Sequence, residues 1–450
     1  MLFLFENADP ILILDFIFGN EEDGYANFNS MLLILGMITM IDITMDSGLF
    51  QFVGFSLIKK TRGNPFKLFL VITTFTVLIS TVLDNMLVLM IMIPLTISIS
   101  RLLEIKPLPY LLSVAVLVNI GGTVFTISSI SNIIIANFAE IPFLEYFFNA
   151  GLISLIISAC SIVFLYFLTR KQLTSPIRNI TVLLDYDAWI FVSDKKLMYK
   201  SAMVFLVVIG CIIAVPPSIF PSDLIALTGM FILILISRLN TNEILKAVDV
   251  ELFLYLIGIS IVTGSINYSG IMEYFGTLLG AMGSNDPMSF NIMILWVSAA
   301  LSVTVDNVPI TQILLPTLRS LTQPFTQSQA RQSYYALTLG VGWGDSLTPF
   351  GDNIIVQKLA DQHKVKIPLG EFFKVGFFSG MFQLALATVF FALMESIMVA
   401  LILIFCIFGA IIGITLLWKK IKPIVQKKMT GETRSHSFSD KWLNRRRTTR

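Results

Sequence analysis

The dipeptide Asp-Asn occurs twice in the middle of long apolar runs: Asp84-Asn85 in STVLDNMLVLMIMIP and Asp306-Asn307 in LSVTVDNVPITQILLP, 222 residues apart. Both runs suit lipid, where a carboxylate is costly and is by default there for function. The same offset carries Ser47-Gly48 onto Ser269-Gly270, Gly54 onto Gly276, Pro94 onto Pro316 and Gly122 onto Gly344. One residue is then lost, so that Asn132 falls on Asn353, and IPFLEYF (141–147) falls on IPLGEFF (367–373) at an offset of 226. A register held over about 80 residues marks an internal duplication. Whatever fold one half adopts, the other must be able to adopt as well.

Hydrophobic residues make up 55% of the chain and charged residues 13%, against roughly 25% charged in a soluble domain. The apolar runs are continuous and do not alternate, which disfavours a β-barrel. The expected fold is an all-α polytopic membrane protein of two inverted-topology repeats. Each repeat has a re-entrant helical hairpin and a broken transmembrane helix. Charged loops thread it: residues 1–28 are acidic and outside, 29–170 form the first repeat, 171–198 a cytoplasmic linker, and 199–395 the second repeat. An extra transmembrane helix at 397–418 leads to a tail at 419–450 with 11 Lys/Arg against two acids, cytoplasmic by the positive-inside rule. The arms of the first hairpin are expected at 66–83 and 86–100, and the crossing runs at 108–138 and 334–360. The first crossing run leads to Glu140 and Glu145, the second to Lys364, Lys366 and Lys374. Opposite charge at matched positions is what inversion requires. The helix at 223–237 has no intact counterpart, because Glu6 and Asp9 interrupt residues 2–15.

Each hairpin is followed by a polar, Gly-rich interruption, NIGGTVFTISSISN (119–132) and LGVGWGDSLTPFGDN (339–353). Such stretches predict unwound backbone, tolerated at membrane depth only when it is buried in protein or lines a cavity. Freed carbonyls there can hold a cation, and the following helix N-termini an anion. The candidate substrate and ion site therefore takes Asp84, Asn85, Asn119, Gly122, Thr123, Ser129 and Asn132 from the first half. From the second it takes Asp306, Asn307, Asp345, Ser346, Thr348, Asp352 and Asn353. Hard oxygen ligands suit Na⁺ at the two hairpin tips, or a proton on a carboxylate.

Plainer readings stand beside these. Asp84 and Asp306 can cap their helices, Asp345 and Asp352 can line a wet vestibule, and the glycines can serve helix packing. Asp42 and Asp46 read as interfacial, Arg319 and Arg331 as loop charges. Cys160, Cys211 and Cys406 read as buried packing thiols, and neither His363 nor His436 has a partner at ligand spacing. No cofactor is expected. HExxH and GxSxG are absent from the sequence, and no histidine falls in an apolar span, which argues against an enzyme. A juxtamembrane basic tail has a lipid-headgroup explanation, so a nucleic-acid partner is not expected.

The motifs LDN with Pro94, NIGGT with Asn132, VDN with Pro316, and LTPFGDN resemble the ion transporter superfamily with its citrate-transporter-like domain, over roughly residues 20–395. Within it they are most similar to arsenite-efflux and Na⁺/H⁺-antiporter permeases. The resemblance implies a homodimer of elevator-type protomers in the plasma membrane, with the motif residues forming the ion and substrate site. This chain departs from the family's IGDPPN first break, reading ISSISN, and adds Asp345 to the second. The expected activity is secondary active transport of a small ion, of the cation/H⁺ antiport or metalloid-oxyanion efflux type. The alternative is a Na⁺-coupled di- or tricarboxylate symporter. A channel is disfavoured, because no span carries an arginine array.

Overall fold

Backbone polar groups in lipid must be satisfied within their own segment, which leaves helices as the natural solution for runs like these. The computed structural model describes residues 10–19, 26–62, 64–173, 185, 187–215, 219–239, 244, 247–282, 286–350 and 353–395, and every regular element among them is helical. The first half contains α1 (Pro10–Phe18), α2 (Ala26–Asp46), α3 (Leu49–Lys59), α4 (Pro65–Ser80), α5 (Asn85–Leu102), α6 (Leu108–Gly121) and α7 (Ile130–Phe138). It closes with α8 (Phe143–Thr169), which has a π-helical turn at Phe147–Gly151. The second half contains α9 (Lys195–Ala214), α10 (Ser222–Ser237), α11 (Val250–Tyr268), α12 (Ile271–Met282) and α13 (Pro287–Ser302). It continues with α14 (Asn307–Leu321), α15 (Gln327–Gly344), α16 (Asn353–Gln362) and α17 (Leu369–Glu395). Among the described residues, five helices are long and apolar enough to cross a membrane: Asn27–Asp46, Asn85–Leu102, Phe143–Thr169, Lys195–Ala214 and Leu369–Met394. The chain divides into two compact units, Met1–Thr388 and Val389–Arg450. The second is described only over 389–395, so the extra helix at 397–418 and the tail lie outside the described residues.

α2 is one of the buried helices of the first unit. It packs on α10 on one side and α7 on the other, burying Met31, Ile34, Met37, Met40 and Ile41. Small residues set the α2–α10 approach. A Cβ on Gly36 would lie 2.8 Å from the backbone of Ala226, and one on Gly229 would lie 3.1 Å from the sulfur of Met40. Such close backbone contact gives helices in lipid their packing energy.

Two short helices, α3 and α12, were not foreseen. Each follows a Ser-Gly corner whose glycine has a positive φ, 85° at Gly48 and 76° at Gly270. The first corner is also strapped. Ser193 donates from its N–H to Ser47 O (3.3 Å) and from its hydroxyl to Asp46 O (2.7 Å). Phe191 and Trp189 pack on Phe55 and Phe52, and the carbonyl of Phe191 sits where a side chain on residue 48 would be. Gly48→Ala must therefore both occupy a left-handed backbone conformation and displace the strap. We expect it to cost at least about 1–2 kcal/mol, read as a lowered melting temperature in detergent, whereas Gly210→Ala, which meets open space, should be nearly silent.

Other expectations need correction. α15 begins at Gln327 and not near 334, because Thr326 and Gln329 form a reciprocal capping box strong enough to start a helix in a polar stretch. Cys160 is exposed on α8 and Cys211 half-exposed on α9, so these thiols face outward, while Cys406 lies outside the described residues. Arg319 and Arg331 are helical, in the last turn of α14 and the first turns of α15, and both have partners.

Candidate functional site

The two hairpins, α4–α5 and α13–α14, turn at Thr81–Asp84 and Val303–Asp306. At the first tip Asp84 is half-buried and accepts from the N–H of Met86 at 3.0 Å, so it does cap α5. At the second, Asp306 is exposed and makes no side-chain cap; its carboxylate accepts instead from the hydroxyl of Tyr255 on α11, at 3.0 Å. Asp84 and Ser129 share a cleft with Ile38 and Ile41 of α2 and Ile130 and Ile133 of α7.

The breaks follow the hairpins as expected. α6 ends at Gly121 and α15 at Gly344, and each leads through a short 3-10 turn to a shorter helix, α7 or α16. The same carbonyls are clamped in both. Asn132 donates to Gly122 O (2.7 Å) and Phe125 O (3.2 Å). Asn353 donates to Asp345 O (2.7 Å) and Thr348 O (3.0 Å). Judged by these bonds, Gly122 corresponds to Asp345 and not to Gly344, one residue off the register read from the sequence. Each half-helix thus carries an asparagine in its first turn that reaches back to hold the unwound carbonyls.

The asparagines at the tips reach inward. Asn85 donates to Asn119 Oδ1 at 3.1 Å, and Asn119 donates to Ser346 Oγ at 3.1 Å. All three are buried, at 4%, 1% and 1% exposure. One hydrogen-bonded chain therefore joins the first tip, the first broken helix and the second break. Thr123 makes a separate bridge between the halves: its hydroxyl accepts from Trp343 Nε1 at 2.9 Å and meets Ser154 at 2.9 Å. At the second tip Asn307 Oδ1 accepts from Ser302 at 2.6 Å, and Thr348 donates to Val303 O at 3.1 Å. Asp345 is buried at 1% exposure, so it does not line a wet vestibule. Asp352 lies outside the described residues.

The equivalent tips are satisfied unequally. Ser302 Oγ also lies 2.8 Å from Val341 O, so its one hydroxyl proton is shared between two acceptors and the serine of the second tip is fully engaged. At the first, Ser80 Oγ and Asn85 Oδ1 are buried with no hydrogen-bond partner. Both abut the end of α6: a Cβ on Gly121 would lie 2.5 Å from Ser80 Cβ and 2.8 Å from Val77 O, and one on Gly122 would collide with Asn85 Oδ1. Two orphaned oxygens against bare backbone are costly unless something electropositive joins them. Ser80, Ser302 and Tyr255 were missed by sequence reasoning. The serines had a signal, since they share the 222 offset and precede each Asp-Asn by four residues.

The halves are interleaved. The return arm of the first hairpin, α5, packs on α16, and that of the second, α14, packs on α7. An arginine closes each contact: Arg101 donates to His363 O, and Arg319 lies 5.4 Å over the ring of Phe138. Arg331 pairs with Glu145, whose other oxygen accepts from Tyr335 at 3.1 Å. Candidates from both halves thus meet in the Asn85–Asn119–Ser346 chain, with Ser129 and Asp84 on the α2 side and Asp306 towards α11.

A family model described as a citrate transporter matches residues 9–342. The chain is 24% identical over 384 residues to a 46 kDa membrane protein of Mycobacterium leprae, covering 85% of this chain and 89% of that one. It is likewise 24% identical over 388 residues to an uncharacterized transporter of Mycobacterium tuberculosis, with 85% and 89% covered. The mouse P protein is 22% identical over 437 residues, covering 78% of this chain and 52% of that protein. Among solved structures, the YdaH transporter of Alcanivorax borkumensis superposes with a TM-score of 0.59 at 14% identity, covering 87% of this chain and 88% of that one.

Proposed function

Since the chain belongs to the citrate transporter family and is a membrane transporter, we propose that it is a secondary active permease that couples movement of a small ion to a Na⁺ or H⁺ gradient. The observation that carries this is the pair of buried, unpartnered oxygens at the first tip, Ser80 Oγ and Asn85 Oδ1. They sit beside the end of α6, and Asn85 is tied through Asn119 to Ser346 of the other break. Neutral hard oxygens with nearby unwound carbonyls are a seat for a small, weakly polarising cation. Asp84 and Asp306 supply charge at the two tips. In this reading the coupling cation sits at the first tip, and the second tip is held shut by its own serine.

The two halves act as inverted repeats around that seat. Support comes from the matched carbonyl clamps and from the opposite charges of the loops after each break. The hairpins and broken helices then move as one body against α2 and its neighbours, an elevator within a homodimer. The apolar face between α2 and α7 would be the sliding surface, and the C-terminal tail would lie in the cytoplasm at the plasma membrane. The acids favour a cation or a metalloid hydroxide as cargo, by antiport or efflux. A second reading, a Na⁺-coupled carboxylate symporter, is favoured by the description of the matching family.

The test is uptake into proteoliposomes of Na⁺, arsenite and citrate under imposed Na⁺ or pH gradients, read with a pH-sensitive dye. Saturable flux driven by either gradient is expected; flux of all three that follows only concentration would overturn the carrier reading. The inequality of the tips gives a sharper check. Ser80→Ala should weaken cation-dependent thermal stabilisation by roughly 2- to 12-fold in apparent affinity without lowering the melting temperature of the ion-free protein. Ser302→Ala should do the opposite, costing about 1–3 kcal/mol because Asn307 loses its donor.

A further inference from the structure

Away from the transport site, α9 and α10 enclose a cleft of about 600 Å³ at the end where α9 begins and α10 stops. Lys196 and Lys200 enter it from α9, Arg238 and Ser237 from α10. Asp194 also lines it, but its carboxylate is engaged as the cap of α9, accepting from Lys196 N–H at 2.7 Å. Lys200 donates to Ile236 O at 2.6 Å, which fixes its ammonium against the last turn of α10. Arg238 ends that helix with φ 55°. The hydroxyl oxygen of Ser237 is buried and has no hydrogen-bond partner. Three cations against one acid leave the cleft electropositive.

What lies below the cleft identifies its occupant. Along α9, Tyr199, Met203 and Leu206 are 62%, 69% and 68% exposed, spaced three or four residues apart, so they form one outward stripe. Along α10, Phe231 and Leu235 are 58% and 77% exposed one turn apart. Two adjacent helices with exposed apolar stripes face acyl chains, and the cations sit at one end of those stripes. A free solute would need only the cations; the stripes fit a molecule with an anionic head and two apolar tails. We propose that this cleft binds an anionic phospholipid, its phosphate held by Lys196, Lys200 and Arg238 with Ser237 as the hydroxyl donor, and its acyl chains laid along α9 and α10. Because α10 packs directly on α2, the lipid would steady the helix that borders the Asp84 cleft.

The test uses the full chain, delipidated and returned to nanodiscs of phosphatidylcholine with graded phosphatidylglycerol. Retained lipid is read by native mass spectrometry and stability by thermal unfolding. Lys196→Gln/Arg238→Gln, both at exposed side chains, should weaken phosphatidylglycerol retention by roughly 25-fold, about fivefold per cation removed. Arg170→Gln, a cation beside Phe167 at the end of α8, should leave retention unchanged. The basic tail is present in every variant, so binding through the tail would survive in the double variant. Equal retention in wild type and double variant, or equal retention of phosphatidylcholine and phosphatidylglycerol, would overturn the proposal. So would inorganic phosphate stabilising the detergent-solubilised protein as well as the lipid does, which would make the cleft a solute site.

Discussion

Replacing Asp84 by Asn is expected to lower gradient-driven transport by roughly 10- to 150-fold, the range for losing one interaction with a charged group, while leaving the protein as stable as before. The substitution separates two roles that coincide in one side chain. Asp84 accepts from Met86 N–H and so caps α5, and Asn caps a helix as well as Asp does. Only the charge is lost. Asp306→Asn is the companion experiment: its side-chain oxygen can still accept from Tyr255, which now bonds the carboxylate. If the two acids serve one coupling site, the double variant should lose less than the product of the single losses. Unchanged flux in both single variants would remove these acids from the mechanism and leave capping as the whole explanation of Asp84.

Asn119→Ala is expected to be the most damaging single change to the fold of the site. Asn119 is the middle member of the buried Asn85–Asn119–Ser346 chain. Its removal strands an amide on one side and deprives a hydroxyl on the other. At about 1–3 kcal/mol per buried group left unsatisfied, the loss is on the order of 2–6 kcal/mol, a large share of the roughly 5–15 kcal/mol that holds a typical protein folded. Ser346 keeps only a longer contact to Val116 O, at 3.4 Å. The measurement is a double-mutant cycle with Ser346→Ala in thermal unfolding. A coupling above about 0.5 kcal/mol is expected, and a coupling near zero together with an unshifted melting temperature would dissolve the bridge between the breaks.

Much of this architecture was written in the sequence because lipid imposes strict rules. The apolar runs gave the helices, and the Asp-Asn dipeptides marked the hairpin turns. The Gly-rich stretches marked where α6 and α15 end. The Ile-Pro pairs at 141–142 and 367–368 mark the starts of α8 and α17. The rest depended on facts that one-dimensional spacing does not hold. The start of α15 turned on a capping box in a polar stretch, and α3 and α12 on single glycines at positive φ. Asn85, Asn119 and Ser346 can each be picked out of the sequence as candidates, but their order in one hydrogen-bonded chain cannot. Nor can the inequality of the tips, which depends on Ser302 finding Asn307 while Ser80 finds nothing. Spacing treated the copies as equals; packing distinguishes them.

The interleaving of the hairpins also bears on how the chain is made. Arg101 of the first hairpin meets His363 across 262 residues of sequence. At the usual ribosomal pace of about 5–20 residues per second, the partner emerges roughly 13–50 seconds later. During that interval α5 has an unfinished face inside the bilayer. The nascent first half must therefore be sheltered by the insertion machinery or by transient contacts of its own until synthesis of α16 completes the pair.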